Sequence, residues 1–500
     1  MSDGRTKLTR DLVGIFALGL LFRLALLLLF PVPYGNDAAG RLYFRDTIFT
    51  WHWLPVTQAL VYLSYALTQK VFMVRLFFAV AGSLAAVAFA FYLQTFASRR
   101  AALIGGALFA INAHAVFLSL MPYQEIVFLG LLFGSLAFFL RAKNAPHARR
   151  NFIIGSALYG LACLTRYEGW FILPALFAAG IWPAWLTRRS HLIAKSIAKN
   201  LAGLGWGPAL WLLINRLQWD SPTAFLFHRG DHAFYAWSPH NEIARIVDYI
   251  GNMLYWLLRF GSPLVLFALP GIWMFWKNRK TLFQILWPAL LLLLLVAIFL
   301  VFVAGKEFAT ANRFAMIPLG ILLIFTALGI DNFLDRASKS SHWLLQKIMQ
   351  PVAKKIIAVS LLVFLLFYGA MPVMQANQLA AHRDPYEIAK FLKANLARSE
   401  SALIVAASHE GEVPMPYQRI FGQLEFDKKN LLCSFFIAPH EIENIESFDA
   451  ARRLRYVIVC DDQPRKGSDD LFRRFVAGAN DKIKKVFANN AAVIYERISL

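Results

Sequence analysis

Several ionisable side chains lie at the ends of the apolar runs of this sequence, and their chemical types are suited to catalysis or ligand binding. Asp37 follows the first apolar run, and a carboxylate at that position could act as a base. Partial shielding from water raises the pKa of a carboxyl group, as a general base for a hydroxyl requires. The alternative is a solvated acid that caps the next helix. Asp46 is the rival acid of the same loop, and we expect it to pair with neighbouring arginines.

Three more ionisable residues stand at membrane depth further along the chain. Glu125 opens an apolar run, and Arg166 and Glu168 lie between two short ones. Charges at membrane depth are costly, so they suggest a functional pocket by default. The alternatives are an acid favoured by the helix dipole for Glu125 and a structural ion pair for Arg166 and Glu168.

Two further loops carry basic side chains. Lys306 and Arg313 precede an apolar run, and an arginine at the membrane surface can bind a lipid phosphate bidentately. Arg313 could therefore stabilise a phosphate leaving group, or it could merely snorkel to the interface. Arg229 and His232 could contact a ligand, but their loop lacks the spacing of zinc motifs. We assign no metal ligand and no certain cofactor, and a divalent metal stays open.

The elements that must position these residues are membrane helices. The chain has 500 residues, of which 58% are hydrophobic and 16% charged, which is too apolar for a water-soluble protein of this size. Apolar runs of roughly 20 residues, enough for a helix to cross a bilayer, recur between Leu12 and Met371. Alternating segments of the outer-membrane barrel type do not appear. The sequence predicts an all-α polytopic membrane protein.

Basic clusters between the apolar runs predict the topology. The formal charge of +21 is spread over short clusters instead of lining one face, which argues against a nucleic-acid partner. Placing the clusters in the cytoplasm gives about eleven spans, a cytoplasmic N-terminus and an outer C-terminus. The expected spans are 11–31, 71–95, 101–119, 125–141, 152–165, 168–187, 199–216, 250–276, 283–304, 314–331 and 356–374.

This threading places Asp37, Glu125, Arg166 and Arg313 together on the outer side of the membrane. The run at 152–165 is too short to cross about 30 Å of hydrocarbon, so we expect it to end inside the membrane against protein.

Beyond residue 374 the composition changes to that of a water-soluble domain. We predict a transmembrane domain at 1–374, with its first outer loop at 31–70, and a small outer α/β domain at 375–500. Cys433 and Cys460 fall in that domain and could pair. The elements expected there are a helix at 384–398 and strands at 402–406, 456–459 and 491–495.

The order and sidedness of these residues resemble the GT-C superfamily of membrane glycosyltransferases, particularly the branch of protein O-mannosyltransferases and lipid A aminoarabinose transferases. The resemblance covers most of the membrane part. The branch often has a second acid directly after the first, where this chain has Ala38. The matching features are Asp37 after span one, Trp53-Leu54-Pro55, Val74-Arg75-Leu76, Glu125, residues 164–169, and Arg313-Phe314 before Pro318.

The resemblance implies an inverting transfer of a hexose or pentose from a polyprenyl-phosphate donor to a lipid, glycan or protein acceptor outside the cytoplasm. It implies that Asp37 is the general base, that Glu125 and Arg166 line the pocket, and that Arg313 and Lys306 meet the donor phosphate. Few cysteines and no retention signal favour a bacterial plasma membrane.

Two other functions stay open at this point. In a transporter or lipid flippase, Arg166 and Glu168 would line the path of the substrate. However, the sequence has no internal repeat to support the inverted-repeat architecture of transporters. A polysaccharide polymerase or ligase would use outer-loop arginines and a base, and it would not need an acid after span one.

Overall fold

Helices make up most of the residues that the computed structural model describes. It divides into two compact units: Met1–Leu27, Ile48–Ala59 and Leu76–Pro372 form the first, and Leu28–Thr47, Leu60–Arg75 and Val373–Leu500 form the second. The structure describes residues 2–50, 53–144, 147–186, 190–224, 251, 255, 257, 259, 262–277, 316–339, 350–397, 400–405, 420, 431–433, 454–460, 483–488 and 492–497.

Fifteen α-helices are numbered here in chain order within those ranges. The first eight are α1 (Ser2–Leu29), α2 (Asn36–Tyr43), α3 (Pro55–Thr68), α4 (Val71–Leu93), α5 (Arg99–Ile111), α6 (Ala113–Ser119), α7 (Gln124–Asn144) and α8 (Ala148–Cys163). The others are α9 (Glu168–Leu186), α10 (Ser190–Leu204), α11 (Trp206–Trp219), α12 (Ala268–Lys277), α13 (Met316–Lys339), α14 (Pro351–Gln378) and α15 (Ala380–Asn395); a 3₁₀ turn at Pro263–Phe267 precedes α12.

Five of the described helices are long and apolar enough to cross a membrane, and a bent pair makes a sixth. The five are α1, α4, α7, α13 and α14, and the pair is α5 with α6. The protein is therefore an integral membrane protein, as its composition predicts. The total of about eleven spans stays a prediction, and the span expected at 283–304 lies outside the described residues.

Two of the expected spans are broken helices. The span expected at 101–119 bends by 54° between α5 and α6. Asn112 causes the break, since its side-chain oxygen accepts hydrogen bonds from the N–H groups of His114 and Ala115 and so caps α6. The span expected at 199–216 is divided between α10 and α11. The Trp206 indole donates to the Ser156 carbonyl at 3.0 Å and so joins the start of α11 to α8.

Helix α8 confirms the expectation that the fifth apolar run, at 152–165, forms a short helix. Its 16 residues rise about 24 Å at 1.5 Å per residue, less than the thickness of a hydrocarbon core. Its end inside the membrane stays a prediction.

The first outer loop contains two helices. Helix α3 starts at Pro55, where the sequence predicts a helix start. Most of the loop belongs to the same compact unit as the C-terminal residues. The reason is packing, because Tyr43 at the end of α2 lies in a buried core with Ile388 and Leu392 of α15.

The described C-terminal part of the chain contains a helix and a five-stranded sheet, whereas the domain bounds of 375–500 stay a prediction. Its sheet has the order β2-β1-β3-β5-β4, with β1 parallel to both neighbours and β5 antiparallel to both of its own. Helix α15 and strands β1, β3 and β5 confirm the expected helix and strands. Strands β2 and β4 were not predicted from the sequence. Strand β2 has only three residues, and β4 is an edge strand with exposed lysines, so neither shows the apolar alternation that marks a strand. The strands are β1 (Ser401–Val405), β2 (Leu431–Cys433), β3 (Leu454–Cys460), β4 (Ile483–Ala488) and β5 (Ala492–Arg497).

The sheet register separates the two cysteines of this domain. Cys433 and Ile458 both align with Ile404 on the intervening strand β1, and Cys460 lies two residues further along β3. Strands that flank a common neighbour are about 9.6 Å apart, beyond the roughly 7 Å between Cα atoms that a disulfide spans. The register therefore argues against the pairing of Cys433 with Cys460, which the sequence left open.

An ion network at the edge of this domain should make its stability depend on pH. Partial burial opposes ionisation of Glu400, but the Ala397 N–H and the Arg455 guanidinium outweigh it and lower the pKa of that carboxyl. A lowered pKa stabilises the fold above the ordinary pKa of glutamate, about 4.3, and this contribution is lost as the pH falls through the native value.

We expect Glu400→Gln to destabilise the domain by roughly 0.5–1 kcal/mol at neutral pH, because exposure of Arg455 to solvent screens the pair. The measurement is hydrogen exchange of the β1 and β3 amides. The difference from the wild type should shrink below about pH 4. Glu387→Gln on α15 is the control, and an effect of Glu400→Gln that does not change with pH would contradict the assignment.

Candidate functional site

Arg166 stands at the centre of a buried ion cluster. Its Nε donates to Glu168 Oε1 at 2.9 Å, its Nη2 donates to the same oxygen, and its Nη1 donates to Glu125 Oε1. The three side chains are only 4–8% exposed. The structure thus brings together three of the residues that the sequence places in the pocket.

The local sequence explains how the cluster is assembled. Glu125 and Glu168 lie in the first turns of α7 and α9, where the helix dipole favours an acid. Arg166 lies in the turn between α8 and α9, and its N–H donates to the Ala162 carbonyl at 3.1 Å. Its two carboxylate partners favour the charged form of the guanidinium.

The cluster carries one more negative charge than positive when all three groups are ionised. Glu125 Oε2 is buried and has no hydrogen-bond partner among the described residues. A buried carboxylate oxygen without a donor is costly, so this atom is suited to accept a hydrogen bond from a bound hydroxyl or amine.

Aromatic side chains pack around the Arg166 turn. Trp211 is fully buried with Leu54 and Leu164, and its indole donates to the Tyr167 hydroxyl at 3.1 Å. The Val56 N–H donates to the Leu164 carbonyl at 3.1 Å, which joins the start of α3 to the turn. The segment around Trp53-Leu54-Pro55 therefore supports the ion cluster.

Asp37 lies in the first turn of α2, and its side chain is partly buried. The N-cap position belongs to Gly35, so Asp37 is not the cap that the alternative interpretation assumed. Its neighbours Ala38, Arg41 and Leu42 are each at most 1% exposed. The acid is thus carried by a short helix that is otherwise held inside the protein. Asp46, the rival acid, is exposed.

Arg75 fixes the end of the first span. Its guanidinium donates to the carbonyl of Pro31 and, at 3.3 Å, to that of Phe30. These carbonyls follow the last turn of α1, where no further helical N–H is available to them. The arginine in Val74-Arg75-Leu76 therefore has a structural role next to the loop that carries Asp37.

Three buried arginines were not among the site residues predicted from the sequence. Arg23, inside span one, is fully buried and donates to the Ala110 carbonyl at 2.6 Å. Arg41 and Arg45 are buried in the first loop, and the Arg45 guanidinium lies 4.4 Å from the centre of the Tyr65 ring. A charge inside an apolar run is the signal that could have found Arg23.

Lys306, Arg313, Arg229 and His232 lie outside the described residues. Among the residues that the structure describes, no group of three or more His, Cys, Asp or Glu side chains is placed to hold a metal ion.

Comparison with known proteins identifies the fold. No protein-family model matches the chain, and no curated protein matches its sequence. The structure of ArnT from Cupriavidus metallidurans bound to undecaprenyl phosphate matches with a TM-score of 0.56 and 12% identity, over 99% of this chain and 98% of ArnT. Its apo structure matches with a TM-score of 0.53 and 14% identity, over 93% of each chain. This chain has the GT-C fold, as the resemblance implies.

We expect Arg166→Leu to destabilise the protein by about 3–5 kcal/mol, because it leaves two buried carboxylates without their cation. Glu168→Gln should cost more than Glu125→Gln, since Glu168 accepts two of the three hydrogen bonds. Thermal unfolding of the purified protein in detergent measures these effects.

Arg216→Leu is the matched control, because Arg216 is an exposed arginine at the end of α11. Equal melting temperatures for the Arg166 and Arg216 variants would show that the buried cluster does not stabilise the fold.

Proposed function

We propose that this protein is an inverting glycosyltransferase that moves a hexose or pentose from a polyprenyl-phosphate donor to an acceptor outside the cytoplasm. The observation that carries the proposal is a GT-C fold over the whole chain, with a partly buried carboxylate directly after the first span. ArnT, which has the same fold, is seen with undecaprenyl phosphate bound. That ligand supports a polyprenyl phosphate as the lipid part of the donor.

In the proposed reaction Asp37 is the general base. It accepts the proton of an acceptor hydroxyl while that oxygen attacks the anomeric carbon from the face opposite the phosphate. The bond between the anomeric carbon and the phosphate oxygen breaks, and its electron pair leaves with the polyprenyl phosphate. Arg313 and Lys306 stabilise the negative charge of this leaving group.

The charges of the ion cluster support this division of roles. Glu125 and Glu168 together outnumber Arg166, so the cluster is unsuited to a phosphate. We therefore propose that it contacts the sugar or the acceptor, with Glu125 Oε2 accepting a hydroxyl hydrogen bond. Asp46, Arg229 and His232 are further proposed pocket residues.

Contacts at the predicted cytoplasmic ends of three helices support the proposed orientation. Arg99 at the start of α5 pairs with Asp11 of α1 at 2.5 Å, and Arg100 pairs with Asp331 of α13. The structure thus brings together three ends that the positive-inside rule assigns to one side. We propose a bacterial plasma membrane, with the N-terminus in the cytoplasm and residues 375–500 outside.

We expect Asp37→Asn to lower the rate of sugar transfer by roughly 10²–10⁴-fold, the usual contribution of a general base. The substitution keeps the size of the side chain and removes its basicity. The assay supplies membranes with a radiolabelled polyprenyl-phosphate sugar and measures label in the acceptor fraction.

Asp220→Asn is the matched control, because this exposed acid follows α11 and has no proposed part in the pocket. It should retain most of the activity. A wild-type rate in Asp37→Asn would overturn the base assignment. If the protein instead moved label across the membrane without transferring it, a transporter or flippase would replace the enzyme.

We expect Arg313→Gln to raise KM for the donor about tenfold or more, since a hydrogen bond to a charged group contributes about 1.5–3 kcal/mol. Arg336→Gln, at the opposite end of α13, is the control. The measurement is initial rate against donor concentration. An unchanged donor KM in Arg313→Gln would place the phosphate elsewhere.

A further inference from the structure

We infer that the C-terminal residues hold α2 at both of its ends, and that Asn377 and Tyr43 are thereby positioning residues for Asp37. The inference rests on the proposed function for the role of Asp37. The residues involved all belong to one compact unit, which contains most of the first loop and the C-terminal domain.

Asn377 holds the segment that leads into α2. From the last turn of α14, its Oδ1 accepts a hydrogen bond from the Val32 N–H at 3.0 Å. Its Nδ2 lies 3.5 Å from the Val32 carbonyl and donates to the Val373 carbonyl at 3.2 Å. A side-chain amide supplies both an acceptor and two N–H donors, which carboxylate and aliphatic side chains do not. Asparagine therefore fits this position by its chemistry.

The distance along the chain from this anchor to Asp37 is short. Only five residue steps separate Val32 from Asp37, and the turn between them depends on Gly35, whose φ of 85° is in the left-handed region. The Gly35 carbonyl accepts the Ala39 N–H at 3.0 Å and closes the first turn of α2. A shift at Val32 would therefore be passed on to the first turn of α2, where Asp37 lies.

Tyr43 holds the other end of α2. It is 7% exposed and lies in the buried core of the C-terminal domain with Leu392 of α15 and Tyr456 of β3. Phe44 packs edge-on against Tyr43 at 4.8 Å between ring centroids and contacts the same core. The last residue of α2 is thus part of the hydrophobic core of a domain that begins more than 300 residues later.

Both anchors matter because α2 is too short to be stable alone. It has eight residues, and isolated helices below about 12 residues are marginal in water. A general base must also lie within hydrogen-bond reach of its proton, and a misplacement of about 1 Å can cost 10²-fold in rate. The C-terminal domain accordingly has a catalytic consequence even without contacting substrate.

The test compares Asn377→Ala and Asn377→Asp with the wild type in full-length protein. We expect Asn377→Ala to speed amide exchange across residues 36–43 about tenfold and to lower kcat roughly 10–100-fold, with little change in donor KM. Asn377→Asp keeps an acceptor for Val32 but loses the donors, so its values should be intermediate. It also serves if the alanine variant folds poorly.

Asn395→Ala is the matched control. Asn395 makes the same kind of local bond, from its amide to the Phe391 carbonyl at 2.8 Å, but it lies at the exposed end of α15. It should leave both exchange in α2 and kcat unchanged.

Unchanged exchange of residues 36–43 in Asn377→Ala would overturn the inference, and so would faster exchange with an unchanged kcat. Failure of the proposed function has a different signature. It would appear as full activity in Asp37→Asn, whatever the Asn377 variants show.

Discussion

Polar groups that are cut off from water must find partners within the chain, and this constraint shapes the structure wherever a helix ends in a buried position. Arginine meets it at three such places. Arg23 donates to the Ala110 carbonyl just before the break after α5, and Arg75 donates to carbonyls beyond the end of α1. Arg166 follows the end of α8 and binds two carboxylates. Each of these three helix ends thus has a buried arginine as a hydrogen-bond donor.

The ion cluster is better explained by geometry than by stability. Removing two or three charges from water costs several kcal/mol, which their attraction roughly offsets, so an apolar replacement could be as stable. The cluster nevertheless fixes the starts of two helices, since Arg166 binds one acid in α7 and another in α9. Its surplus carboxylate oxygen on Glu125 has no structural purpose within the described residues. That oxygen is what favours a ligand-binding role over a purely structural one.

Local sequence patterns predicted many of the helices and strands, but they did not predict which distant residues pair with one another. Pro55 marked a helix start, and the alternating apolar residues marked three strands, because both signals are local in sequence. Hydropathy did not reveal the breaks at Asn112 and Gly205, since it measures apolarity and not continuity of hydrogen bonding. The pairing of Arg166 with Glu125, 41 residues apart, needed the packing of helices.

The proposed role of Asp37 would explain why a small α/β domain belongs to this protein. A base at the membrane surface must face water, so the loop that carries it could not be held by helix packing within the hydrocarbon. Burial of an aromatic side chain such as Tyr43 supplies about 1.5–3 kcal/mol relative to exposure, but only if an apolar core is present outside the membrane. The α/β domain provides that core, and α2 has one end in it. The helix that carries the proposed base is thereby held by an apolar core at its C-terminal end.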